Sequence, residues 1–193
     1  WVSIIILLLV VVGCFPYQRD IDRNRAKVLS ANPDAPQHLD FSNRRIHYIK
    51  VGVGDQIVFF VHGSPGSWEA FAGFLSDDEL KSQATLIAVD RPGFGDTSPE
   101  RAEKSLEVQS RLLRGVLESE VRQKKARRVI LVGHSFGGPV IAHMAAEYTM
   151  SKLGLIFVAP AVDPNLERVM WYQTVADWGW VRWLLPRAID NAN

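Results

Sequence analysis

The sequence predicts an α/β protein: a mostly parallel sheet with helices on both faces, incomplete at its C-terminal side. Three observations carry this. Short continuous apolar runs recur along the chain, segments of helical length and period separate them, and glycine-rich turns follow the runs at their carboxyl ends.

The first 14 residues stand apart. Val2 to Val12 is apolar except for Ser3, and no charge appears before Arg19. That length suits the apolar region of an export signal better than a spanning helix of roughly 20 residues. Val11-Val12-Gly13-Cys14 resembles a bacterial lipobox, with the chain's single cysteine at the position that would be lipidated. Arg19, Arg23, Arg25 and Lys27 follow closely, as they do on the cytoplasmic side of a retained anchor helix. A lipid anchor on Cys14, an uncleaved anchor and a plain cleaved signal all stay open, and each implies membrane contact at a bacterial cell envelope or passage through it.

Residues 15–40 read as a linker, because Pro33 and Pro36 lie too close together for a continuous helix or a central strand. The core then spans 41–164. Arg45 to Val51 reads as a strand, and Gly52-Val53-Gly54-Asp55 as a turn that would make a hairpin with the next run. Ile57 to Val61, Leu86 to Val89, Val129 to Val132 and Leu155 to Val158 read as strands buried on both faces. Leu106, Leu112, Leu113, Val116, Leu117 and Val121 fall on one helical face, as do Val140, Ile141, Met144, Ala145 and Tyr148. The basic run Arg122 to Arg128 reads as a solvated helix end. With a net charge of +1, nothing points to nucleic acid.

Chemistry is expected at the carboxyl ends of parallel strands. There the chain places His62-Gly63-Ser64-Pro65, then Asp90-Arg91-Pro92-Gly93-Phe94-Gly95, then Gly133-His134-Ser135-Phe136-Gly137. The last is a Gly-x-Ser-x-Gly turn between a strand and a helix. Its glycines leave room for a bend so tight that Ser135 projects its hydroxyl from the sheet. Helix onset behind it aims backbone N–H groups at an oxygen that becomes negative.

In these three motifs and their order, the chain resembles the α/β-hydrolase fold-1 family from about Phe41 to Pro164. The resemblance implies Ser135 as nucleophile, the backbone N–H groups of Ser64 and Phe136 as oxyanion-hole donors, and His62, Gly63, Gly133, His134 and Gly137 as support. It implies a structural role for Asp90 to Gly95. Haloalkane dehalogenases and epoxide hydrolases of this fold use an aspartate where Ser135 stands, which disfavours them. The chemistry implied is acyl transfer through serine to water on a small hydrophobic carboxylic ester, with no cofactor and no metal. An aminopeptidase, a carbon–carbon bond hydrolase, a cofactor-free haloperoxidase and a non-catalytic binding module remain alternatives.

The acid and the base are harder to place. In this fold they follow the serine in the order acid, then histidine, yet the only later histidine, His143, lies eight residues on, about 12 Å along the same helix. Both are expected beyond residue 193, with Asp163 a minor candidate acid against a turn role before Pro164. His38 and His47 read as surface groups, and His134 as a packing residue. From 165 to 193, Trp171, Tyr172, Trp178, Trp180 and Trp183 suit either the start of a lid lining an apolar pocket or ordinary helix packing.

Overall fold

The computed structural model describes residues 19–97, 102–148 and 152–161. Six strands form one sheet: β1 (Pro36–Phe41), β2 (Arg44–Val51), β3 (Gln56–Val61), β4 (Thr85–Val89), β5 (Arg128–His134) and β6 (Leu153–Val158). Their order across the sheet is β1-β2-β4-β3-β5-β6. The last four pair in parallel, while β1 and β2 form an antiparallel edge, with β2 joined to β4.

Because a strand's side chains alternate between faces, each run feeds two cores. Ile57, Phe59, Val61, Ile87, Val89, Val129 and Leu131 point to one face, where α4 (Leu106–Lys124) and α5 (Gly137–Ala146) cover them with Leu112, Leu113, Val116, Leu117, Val140, Ile141 and Met144. Phe60, Leu86, Ala88 and Val132 point to the other. There they meet Val28 from a helix over residues 19–31 (α1), Trp68 and Phe71 from a 3-10 turn (Trp68–Phe71), and Ala72 and Leu75 from α2 (Ala72–Leu75).

Three expectations need correction. Leu155 to Val158 do form a strand, but as part of β6, the last strand in the described sheet, they are exposed rather than buried on both faces. The supposed linker contains α1 and strand β1, and it seals the sheet: Val28 and Ala35 are buried. The prolines are accommodated because Pro33 sits in a turn and Pro36 opens an edge strand, where a missing N–H is tolerated. Nor is the Gly52–Asp55 turn a hairpin between β2 and β3. β4 separates those strands, and the connection packs instead on the end of α3 (Asp78–Gln83), with the Val53 N–H donating to Lys81 O at 3.1 Å.

The basic run does form a helix end, with Arg122 and Lys124 in the last turn of α4 and Lys125 in the left-handed conformation after it. Among the described residues, no helix is long and apolar enough to cross a membrane. Cys14, Asp163 and the aromatic segment after 165 lie outside them.

One buried charge ties the antiparallel edge to α4. Glu120, 1% exposed, accepts from the Tyr48 hydroxyl at 2.8 Å and from Lys50 Nζ at 3.0 and 3.1 Å. Burial, together with this carboxylate, pushes the Tyr48 phenol above its ordinary range. Replacing Glu120 by Ala strands a buried hydroxyl and the ammonium of a three-quarters-buried lysine side chain, and should destabilise the protein by about 2–4 kcal/mol in denaturant unfolding. A loss below ~1 kcal/mol would show that the cluster is not a structural tie.

Candidate active site

Parallel pairing of β3 with β4 and β5 brings three strand ends side by side: Val61 lies opposite both Val89 and Gly133. The loops that leave these ends form the site.

The turn after β5 is sharp. Ser135 adopts φ +49, a left-handed conformation that an L-residue holds only when its surroundings enforce it. Its N–H donates to Val158 O at 3.0 Å, and its carbonyl accepts from Gly138 N at 2.9 Å and Ala161 N at 3.1 Å, so the loop after β6 and the start of α5 clamp the strained backbone. A Cβ on Gly133 would come within 2.5 Å of Gly137 O, and one on Gly137 within 2.1 Å of Val61 O. Only hydrogen fits at either position.

The loop after β3 lies directly against this turn. A Cβ on Gly63 would meet Ser135 Cβ at 2.8 Å and His134 Nδ1 at 3.1 Å. Ser64, exposed, continues from Gly63 through a trans peptide into the cis Ser64–Pro65 bond. Ser135 and Phe136 are half-buried, and Phe136 caps the N-terminus of α5.

His62 is fully buried beneath that loop. Its Nε2 accepts from the Arg91 backbone N–H at 3.0 Å, which leaves the proton on Nδ1, and this donates to Gly63 O at 2.7 Å. Burial, and secondarily the Arg91 cation, lower its pKa to about 4. The ring is thus neutral near pH 7, with both nitrogens engaged.

Asp90, fully buried at the end of β4, is a hub for three segments. One oxygen accepts from Trp68 N at 2.7 Å, and the other from Asp96 N at 3.0 Å and His47 Nδ1 at 2.7 Å. Thr97 closes the loop, its hydroxyl donating to Asp90 O and accepting from His47 N. His47 is therefore no surface group: β2 buries it beside β4, to leave 3% exposure, and only His38 is exposed as expected. His47, Asp90 and Asp96 bring ligand-type atoms within 4.8 Å of one another. The Asp90 oxygens, however, are occupied by N–H donors.

Arg91 is buried with its guanidinium between the rings of Phe94 and Phe136, 4.3 and 5.0 Å from their centroids. It donates to Gln109 Oε1 at 2.9 Å and Gly63 O at 2.8 Å. His134 is exposed rather than packed in the core. His143 lies on α5, with Nδ1 3.9 Å from Glu147 Oε1.

Sequence reasoning places His47 on the surface and Arg91 only within a structural turn, and it gives no role to Gln109, yet all three are buried. One signal was present: Gln109 stands four residues before Leu113 and seven before Val116, a polar residue on an otherwise apolar helix face, which calls for a buried partner.

A profile of the alpha/beta hydrolase family matches residues 58–192, well over half of the chain. The chain belongs to the alpha/beta hydrolase family. Its relatives include the dihydrolipoyllysine-residue acetyltransferase component of the acetoin cleaving system of Cupriavidus necator, 30% identical over 126 residues, which are 65% of this chain and 32% of that protein. The 2-hydroxy-6-oxononadienedioate/2-hydroxy-6-oxononatrienedioate hydrolase of Paraburkholderia phymatum is 30% identical over 110 residues, 55% of this chain and 35% of that one. Among solved structures, haloalkane dehalogenase DatA of Agrobacterium tumefaciens C58 superposes with a TM-score of 0.52 at 25% identity, covering 65% of this chain and 40% of that one. The chain spans about a third of the length of these two curated relatives.

The shifted histidine makes a pH-dependent contribution to an alpha/beta hydrolase fold. A histidine whose folded pKa lies below its unfolded value binds a proton more readily when unfolded. Neutral His62 therefore supports the fold above pH 6.5, and that support is lost as pH falls toward about 4. In this window the unfolding free energy should fall with acidification more steeply than in His62→Gln, by up to roughly 1.4 kcal/mol per pH unit. Parallel curves for the two proteins would contradict the assignment.

Proposed function

We propose that the protein is a serine hydrolase that transfers the acyl group of a small hydrophobic carboxylic ester through Ser135 to water. The observation that carries this reading is Ser135 at φ +49 in a glycine-flanked turn, with the Gly63 loop pressed against its Cβ. A strained serine at the mouth of a parallel sheet, with helix α5 starting behind it, suits a nucleophile and an anion site at once.

In the proposed reaction Ser135 Oγ bonds to the ester carbonyl carbon, the carbonyl π electrons move onto its oxygen, and the serine proton passes to a base. Ser64 N–H and Phe136 N–H would receive the oxyanion. As the tetrahedral species collapses, the alcohol leaves with that proton. Water then attacks the acyl-serine in the same manner, releasing the acid and restoring the hydroxyl.

No described residue takes the role of base. His62 has both nitrogens engaged and a depressed pKa, which favours structural support over proton transfer. A serine in the elbow favours this chemistry over routes through an aspartate nucleophile. An apolar acyl pocket remains part of the proposal, supported by the aromatic residues between Trp171 and Trp183 in the sequence.

Hydrolysis of p-nitrophenyl butyrate by the full-length protein tests the reading. Ser135→Ala should lower kcat by at least about 10³-fold with the thermal midpoint nearly unchanged, whereas activity within tenfold of the parent would sink it. A membrane location at a bacterial cell envelope is proposed from the apolar run and Cys14. The full-length protein should sediment with membranes in low and high salt, and recovery in the soluble fraction would contradict it.

A further inference from the structure

Arg91 is an expensive residue for its position. The residue is 1% exposed, the hydrogen-bond partners of its guanidinium are the neutral oxygens of Gln109 and Gly63, and its Nε has no partner among the described residues. Burial lowers its pKa to about 10, which still leaves it charged at neutral pH. A buried cation with only neutral partners is destabilising unless its field or its donors serve something nearby. Two of its contacts adjoin the proposed oxyanion hole: the Gly63 carbonyl, which precedes the Ser64 donor, and the ring of Phe136, the other donor residue. Nη2 grips the Gly63 carbonyl, and the guanidinium lies on the Phe136 ring.

The Gly63 carbonyl belongs to the same peptide unit as the Ser64 N–H. That peptide is trans, so the two groups point in opposite directions. The oxygen accepts from His62 Nδ1–H at 2.7 Å and from Arg91 Nη2 at 2.8 Å, one neutral donor and one charged. Two donors fix the rotation of the peptide plane. They also draw electron density from nitrogen toward oxygen, which makes the N–H a stronger donor. We propose that Arg91 is a positioning residue for the oxyanion hole, which with His62 pins and polarises the Gly63–Ser64 peptide so that the Ser64 N–H faces the charge that develops on the substrate oxygen. The inference rests on the reading of Ser135 as nucleophile and Ser64 as donor. It adds that the strength of the donor is set from behind, by a side chain that never touches the substrate.

A loss of pinning should appear in the transition state and hardly at all in ground-state binding. For full-length Arg91→Met acting on p-nitrophenyl butyrate, kcat should fall roughly five- to fifty-fold with KM within about twofold, a fraction of what losing the whole donor costs. Arg91→Lys, which keeps the charge but replaces the planar fork by a compact ammonium, should fall between Met and the parent. Affinity for an aryl trifluoromethyl ketone, which forms an oxyanion on the serine, should weaken by the same factor as kcat/KM. A kcat within twofold of the parent in folded Arg91→Met, a loss confined to KM, or an unchanged ketone affinity would each overturn the proposal. If Arg91→Met does not fold, Arg91→Lys decides: a several-fold lower kcat at constant KM and thermal midpoint supports it, and an unchanged kcat overturns it. Ser135→Ala is run alongside. If it stays active, the nucleophile reading fails and this inference with it; if it is inactive while Arg91→Met is unimpaired, only this inference fails.

Discussion

The contact between the Gly63 loop and the Ser135 turn is the constraint on which the rest of the site depends. A gap too small for a methyl group separates them, and the elbow closes equally tightly on itself between Gly133 and Gly137. Such closeness follows from β3 and β5 being parallel neighbours that end in register, Val61 opposite Gly133. In an interior packed as densely as a crystal, loops this close cannot move independently. The φ of Ser135 is held by the same packing and by hydrogen bonds to Val158, Gly138 and Ala161.

Behind that contact stands a polar layer. Asp90 and Arg91 follow β4 as a buried anion and a buried cation, and they are not paired with each other. Asp90 spends its oxygens on the backbone of the Trp68 and Asp96 segments and on His47, which fixes the loops on the β2 side. Arg91 turns toward Gly63, Gln109 and the two phenylalanine rings. Burying two charges apart is less favourable than burying them as a pair. Their separation lets one strand end organise both neighbouring loops.

Much of the fold was legible because the physics is local. Runs such as Ile57 to Val61 and Leu86 to Val89 are apolar on both faces, and only a covered parallel strand satisfies that pattern. The glycines of the elbow were legible for a similar reason, since each position excludes a side chain. The antiparallel edge was not. Pro36 and the polar residues of β1 resemble a linker when the partner strand is unknown, and whether β2 pairs with β3 or β4 depends on contacts far apart in sequence. His47 and Arg91 were opaque on the same grounds: nothing local tells a buried histidine or arginine from an exposed one, and their partners Asp90 and Gln109 lie 43 and 18 residues away.

The central claim is that Ser135, the Gly63–Ser64 peptide and Phe136 form one site for acyl transfer. A crystal structure of the full-length protein after reaction with an alkyl fluorophosphonate would test it most directly. The account predicts phosphorus bonded to Ser135 Oγ, with the phosphoryl oxygen about 2.7–3.1 Å from both the Ser64 and Phe136 nitrogens. An adduct on another residue, or a phosphoryl oxygen turned away from both nitrogens, would contradict it.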